Sequence, residues 1–271
     1  MPHARVNGIS IYYEEHGAGT PLLLVMGFTA NTTAWEPVLP ALSSRYRVIA
    51  FDNRGAGRSD APEAAYSMTE LADDALGLLT HLGVERAHVY GVSMGGMIAQ
   101  HIALRAPHRV LSVVLGCTSP GGKHAVTAAE PVIAALLGAA TLPIEQAFDK
   151  TLPILYSDGF AAAHRDELYA RALQNAPLRA SEAGVKGQAA AIQGHDTFDR
   201  LPEIAAPTLV LHGDADQLVP TANGRLLAEH IPGAKLTVYP GARHGFHVEF
   251  AEQSSADVLA FLDAVAAAAP A

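Results

Sequence analysis

The chain has 271 residues, 49% of them hydrophobic, and a formal net charge of −9 with no block of lysine or arginine. That size suits one α/β domain with an insertion and a large core, and that charge excludes a nucleic-acid partner, because phosphate binding needs concentrated positive charge. A single cysteine, Cys117, excludes an internal disulfide; with no run near the roughly 18 apolar residues of a membrane span and no apolar signal region in "MPHARVNGISIYY", a cytoplasmic protein with no membrane partner is expected.

The first element, "RVNGISIYYEEHG", reads as a β-hairpin turning at Asn7-Gly8, with Ile9, Ile11 and Tyr13 alternating with Ser10, Tyr12 and Glu14. "PLLLVMG" (21–27) is a continuous apolar run, as expected of a strand buried on both faces. "RVIAFD" (47–52), "AHVYGVS" (87–93), "VLSVVLGC" (110–117), "TLVLHG" (208–213) and "KLTVYPG" (235–241) have the same character. Helical patterns lie between them. Residues 67–83 open on a capping box, Ser67 to Glu70, repeat Met68, Leu71, Ala72, Ala75, Leu78, Leu79 and Leu82 at helical spacing, and end at Gly83. Residues 94–105, 221–231 and 249–266 are further helices. Strand alternating with helix implies a mostly parallel central sheet flanked by helices, an α/β fold.

The alternation stops between about 120 and 202. That stretch carries helix-like segments at 129–138, 145–150, 160–175 and 181–193, between the turn-rich "TSPGG" and "RLPEIAAP". It reads as an inserted helical cap, 120–202, on a core made of 1–119 and 203–271. An alanine-rich stretch, 264–271, closes the chain.

Chemistry enters at "AHVYGVSMGGMIAQHIALRAP" (87–107). A strand runs into Gly91-Val92-Ser93-Met94-Gly95, and a helix follows at once. A sharp elbow lifts a serine above the sheet, and the small neighbours let the chain pass closely. Serine needs a base to take its proton, a third group to orient that base, and N–H donors for the developing oxyanion.

With this elbow the chain resembles the α/β-hydrolase superfamily over almost its whole length. The resemblance rests on "GFTAN", "FDNRGAGRSD", "YGVSMGG", "LVLHGDADQLVP" and "YPGARHG", in that order. It implies an α/β-hydrolase fold and a triad in the order Ser, Asp/Glu, His. Ser93 is then the nucleophile. The pattern G-x-x-D-x-x-V-P lands on Asp216, with Asp214 the alternative acid and Asp52 a remoter one. The glycine-bracketed loop "PGARHGF" makes His244 the base, with His247 the runner-up. The oxyanion donors implied are the backbone N–H groups of Met94 and Phe28. Many relatives read His-Gly before the latter residue, and here Met26-Gly27 stands instead.

"FDNRGAGRSD" reads as structural, with Asp52 and Arg54 bracing loops, and Cys117 as a small buried residue. No metal-ligand cluster and no G-x-G-x-x-G after the first parallel strand are visible, so neither metal nor other cofactor is expected. Substrate-pocket candidates are Trp35, Leu136, Leu137, Ile154, Leu155 and Phe160, together with Phe148, Leu152 and Tyr156.

"RGAGRSDAP" and "CTSPGG" are similar to the small capped bacterial branch, which holds 3-oxoadipate enol-lactonases, cofactor-free haloperoxidase-like esterases and aclacinomycin methylesterase types. The activity implied is hydrolysis of carboxylic esters of small, largely apolar molecules. The alternative is a lactonase acting on a carboxylate-bearing lactone, which favours a cation near the pocket: Arg165, Arg171, Arg179 or Lys186. A third reading is a non-catalytic ligand receptor on a hydrolase scaffold. The expected partner is a small-molecule ester or lactone, and a homodimer is compatible with the sequence.

Overall fold

A computed structural model describes residues 2–268. The hairpin pairs β1 (His3–Val6) with β2 (Ile9–His16), and Asn7 and Gly8 both take positive φ, 48° and 83°, as a tight two-residue turn requires. β3 (Pro21–Val25), β4 (Arg47–Phe51), β5 (Ala87–Val92), β6 (Val110–Gly116), β7 (Thr208–Gly213) and β8 (Lys235–Tyr239) follow. The sheet has eight strands in the order β1-β2-β4-β3-β5-β6-β7-β8. β1 and β2 run antiparallel at one edge, and all pairs from β4 to β8 are parallel.

The continuous apolar runs exist because both faces of the sheet are covered. In β3, Leu23 and Val25 join one core, with residues of helices α2 (Met68–His81), α3 (Met94–Arg105) and α8 (Ala222–His230). Leu22 and Leu24 join the other, with α1 (Leu39–Ser43) and α10 (Ala251–Ala268). The α2 capping box forms as the sequence predicts, with the Ser67 hydroxyl accepting from the Glu70 N–H.

The strands are shorter than their apolar runs. Met26-Gly27, Asp52, Ser93 and Cys117 lie just beyond the strand ends, in loops at the carboxyl edge of the sheet. The final helix is also divided: a single turn, α9 (Phe246–Glu249), precedes α10. Of the alanine-rich stretch, residues 269–271 lie outside the described part.

Between β6 and β7 the chain leaves the sheet for four helices: α4 (Glu130–Ala139), α5 (Ile144–Leu155), α6 (Asp158–Asn175) and α7 (Glu182–Gln193). An isolated antiparallel bridge, Gly121 to Asp196, closes the neck of this excursion. Among the described residues no helix is long and apolar enough to cross a membrane.

Candidate active site

Loops at the carboxyl ends of the parallel strands build the site, as is usual where an open α/β sheet binds ligands. β5 ends at Val92 and α3 begins at Met94, so Ser93 stands alone at the turn with φ 59° and ψ −122°. That conformation is strained for a residue with a side chain. The surroundings dictate it: a Cβ on Gly91 would meet the Gly95 carbonyl, and one on Gly95 would meet the Val25 carbonyl. Two hydrogen bonds fix the elbow to the next strand. The Ser93 N–H donates to the Gly116 carbonyl at 2.8 Å, and the Thr118 hydroxyl donates to the Ser93 carbonyl at 2.7 Å.

The loop after β8 brings His244 between Ser93 and Asp216. Its Nδ1 lies 2.8 Å from Asp216 Oδ2 and its Nε2 lies 2.9 Å from Ser93 Oγ. An ionised carboxylate only accepts, so Nδ1 carries the proton and Nε2 accepts the serine O–H. Asp216 is held in turn by the Leu218 and Val219 N–H groups, which donate to Oδ1 at 2.9 Å each. Asp214 faces away and accepts the Gly241 N–H at 2.6 Å. Asp52 accepts from the Thr32 and Arg58 N–H groups, bracing loops as expected. Only Asp216 of the three carboxylates touches the ring, and His247 makes no hydrogen bond at either nitrogen.

Burial alone would push the His244 imidazole down, but the adjacent Asp216 carboxylate overrides it and holds the ring well above the usual histidine value. Cys117 lies beneath, with Cys117, Asp216 and His244 offering ligating atoms within 4.8 Å of one another. Burial pushes the Cys117 thiol up, and its contact with His244 adds a smaller upward pull on the ring to that of Asp216. Both ring nitrogens of His244 and both Asp216 oxygens are already hydrogen-bonded, so this trio has little left to offer a metal ion.

Two backbone donors flank the serine. Met94 is the first residue of α3, and its N–H has no intrahelical acceptor. The Phe28 N–H has no acceptor among the described residues. The loop carrying Phe28 lacks the histidine common in relatives, and the structure supplies other ties. The Asn53 amide donates to the Met26 carbonyl at 2.8 Å. Gln188, fully buried on α7, accepts the Thr29 N–H at 2.7 Å and donates to the Arg54 carbonyl at 2.8 Å. Sequence reasoning passed over Gln188. The available signal was its place in the buried stripe Gly184, Gly187, Gln188 and Ala191, where an amide needs partners.

A cavity of about 380 Å³ opens over Ser93 and His244, within the usual range for small-molecule sites. α5 contributes a stripe at helical spacing: Ile144, Ala147, Phe148, Thr151, Leu152 and Leu155. Tyr156, Leu168, Leu218 and Val248 add further apolar surface. Of the nine sequence candidates, Leu136, Phe148, Leu152, Leu155 and Tyr156 line the cavity and four do not. Trp35 is packed below the loop against Tyr90 and His247, with ring centroids 4.9 and 5.8 Å away. Leu137, one residue round α4 from Leu136, faces solvent at 43% exposure. Ile154 is buried off the α5 stripe, and Phe160 packs on Tyr156 and His164.

Of the four cations, Arg171 alone lines the cavity. Arg165 pairs with Asp149, Lys186 with Glu182, and Arg179 donates to the carbonyls of Ala139, Ala140 and Leu142.

Known proteins resemble the chain over nearly its full length. A family model described as alpha/beta hydrolase fold matches residues 20–251. The "Putative carbamate hydrolase RutD" of Azorhizobium caulinodans is 33% identical, over 91% of this chain and 92% of that protein. The non-heme haloperoxidase of Rhodococcus erythropolis is 30% identical, over 95% of this chain and 97% of its own. The crystal structure of the enol-lactonase from Burkholderia xenovorans matches with a TM-score of 0.86 at 28% identity, over 97% of this chain and 100% of that one.

Proposed function

The chain is a hydrolase of the α/β-hydrolase family, and from that premise we propose that it cleaves carboxylic esters of small, largely apolar molecules through Ser93, His244 and Asp216. The observation that carries this reading is the His244 ring, bridging Ser93 Oγ at 2.9 Å and Asp216 at 2.8 Å beneath a cavity lined mainly by apolar side chains.

The steps follow from the geometry. His244 Nε2 takes the hydroxyl proton as Ser93 Oγ adds to the ester carbonyl. The N–H groups of Phe28 and Met94 receive the oxyanion, and their preorganisation is the largest single source of rate in such sites. Imidazolium His244, stabilised by Asp216, protonates the leaving alcohol and frees it. Water then attacks the acyl-enzyme with His244 as base, releasing the acid and restoring Ser93. In this scheme helices α4 to α7 act as a cap whose α5 stripe sets substrate shape.

A lactone is an internal ester and fits the same steps, and a carbamate offers the same kind of acyl carbon. The deciding experiment is hydrolysis of p-nitrophenyl esters from acetyl to decanoyl by wild type and Ser93→Ala. The expected result is turnover with a chain-length optimum, cut by on the order of 10⁴-fold or more in the variant. Turnover that survives Ser93→Ala would remove Ser93 from the role. Absence of turnover with every ester, with no labelling of Ser93 by a phosphonate, would favour a ligand receptor.

A further inference from the structure

One polar group in the cavity wall belongs neither to the triad nor to the cap helices. His247, the runner-up base of the sequence, stands on the single turn α9 and lines the cavity. It is 7% exposed, and neither ring nitrogen is hydrogen-bonded. Packing holds the ring in place. Trp35 lies 5.8 Å away at 54° and Phe246 lies 5.8 Å away at 74°, centroid to centroid. The Ala34 carbonyl lies close, without hydrogen-bond geometry. The turn itself is clamped. The Val248 N–H donates to the Gly245 carbonyl at 2.9 Å, and Glu249 accepts the Ser157 N–H from the start of α6 at 3.0 Å. His244 and His247 thus ride on one rigid segment.

A buried imidazole without a partner is costly, and an apolar ring of similar shape would avoid the cost. Its retention in a cavity wall therefore points to a partner that arrives with the substrate. Burial, and then the charges of His244 and Arg171, push His247 down to about 4. No Asp or Glu lines the cavity among the described residues, and Arg171 is itself paired with Glu36 at 3.4 Å. Near pH 7 the ring is neutral, with one N–H donor and one bare nitrogen that accepts. A carboxylate could answer only the donor, and an ammonium only the acceptor. A hydroxyl both gives and accepts, so it satisfies whichever nitrogen faces it.

We propose that His247 receives a neutral hydroxyl group carried by the substrate, so that the preferred substrates are hydroxy-esters, with the hydroxyl on the acyl chain or on the alcohol. This rests on the ester-hydrolase reading above. His247 binds and orients, while Ser93, His244 and Asp216 carry out the bond changes. Hydrolysis adds one water and leaves a hydroxy acid and an alcohol, or an acid and a diol. Because base and receptor share one clamped turn, the preference depends on how far the hydroxyl lies from the ester carbonyl.

The test compares matched pairs by pH-stat. On the acyl side, ethyl lactate, ethyl β-hydroxybutyrate and ethyl ω-hydroxyhexanoate are set beside ethyl propionate, butyrate and hexanoate. On the alcohol side, glycol monobutyrate is set beside propyl butyrate. Wild type is expected to favour the hydroxy member in at least one pair. His247→Phe keeps an aromatic ring and removes both nitrogens. It is expected to cut the ratio of hydroxy-ester to plain-ester kcat/KM in that pair by about 10- to 100-fold, with His247→Gln, which keeps a donor and an acceptor, between. His247→Leu makes the same comparison should His247→Phe not fold. No hydroxy preference in any pair overturns the proposal, as does an unchanged ratio in the variant that folds. Turnover of neither ester class would instead overturn the ester-hydrolase reading. Ethyl β-hydroxybutyrate, ethyl ω-hydroxyhexanoate and glycol monobutyrate then decide the receptor alone, as ligands. A rise in wild-type Tm that the His247 variant lacks supports it, and no rise, or an equal rise, overturns it.

Discussion

Ser93 and His244 each hold a state that their residue type resists elsewhere. The serine sits at φ 59°, and the strain persists because Gly91 and Gly95 leave the backbone no room to relax. The histidine is buried, which alone would favour the neutral ring, yet Asp216 holds its pKa well above the ordinary value. In the proposed mechanism the base is the neutral ring, so activity should fall as pH falls through that pKa, and a raised pKa places the acid limb of kcat/KM above about pH 6.5. Asp216→Asn removes the raising charge and leaves burial, which lowers. The acid limb should therefore move to lower pH while kcat falls by about 10³- to 10⁴-fold, the tautomer being no longer fixed. Ester kcat/KM measured from about pH 5 to about pH 9 checks both; a limb that stays in place would show that Asp216 does not set the titration.

The elements place these residues through contacts between cap and core. α5 and α6 are fastened to the His244 loop, where the Gly245 N–H donates to the Leu155 carbonyl at 2.7 Å and Arg243 Nη1 donates to the Pro153 and Tyr156 carbonyls at 2.7 and 2.9 Å and pairs with Asp158 of α6 at 2.9 Å. α7 is fastened to the Phe28 loop through Gln188. Gln188→Ala strands the Thr29 N–H and the Arg54 carbonyl in a buried place. It is expected to lower kcat about 10- to 100-fold with a smaller change in KM, because in the proposed mechanism the loop it holds meets the oxyanion rather than the ground-state ester. Steady-state kinetics beside a thermal melt separate this from unfolding, and a KM effect larger than the kcat effect would refute it. These fastenings mark where sequence reading stops. The hairpin turn at Asn7-Gly8, the Ser67–Glu70 cap and the Ser93 elbow follow local rules of backbone and spacing, so they are legible in a single chain. So is the Asp216–His244 pairing once a resemblance supplies the order. Which stripe of α5 faces the cavity is not local. Ile154 and Leu155 are adjacent and equally apolar, and only the docking of the helix sends Leu155 inward to the cavity. Trp35 and Gln188 escape for the same reason, since their roles depend on what lies across the fold.

The molecule as a whole carries charge and buried histidines that pull its stability in opposite directions on acidification. With a formal net charge of −9, protonating surface carboxylates relieves self-repulsion and favours the folded state. Against this stand His88, His101, His195 and His247, each pushed down to about 4 by burial, with neighbouring positive charge adding to it at His88, His101 and His247. His101 and His195 share a 3.3 Å contact, so charging either ring sets it against the other, and for His195 burial outweighs the upward pull of the Ser119 carbonyl, 3.1 Å away, and of Asp196. The unfolded chain binds protons at these rings near pH 6.5, and the folded chain holds them off until about pH 4. Between those values the unfolded state carries more protons, so stability falls as pH falls, and the loss is complete below about pH 4. His244 has the opposite sign, since its raised pKa favours the folded state at low pH, but among the described residues one raised ring stands against five lowered ones, His212 being lowered by burial as well. The combined loss is on the order of several kcal/mol, a large share of what a domain has. Tm is therefore expected to decline steadily from about pH 6.5 toward pH 4.5, and His101→Gln to flatten the decline. Thermal melts across that range separate the two effects, because relief of repulsion would raise Tm at the first step of acidification, where protonation of the buried rings lowers it.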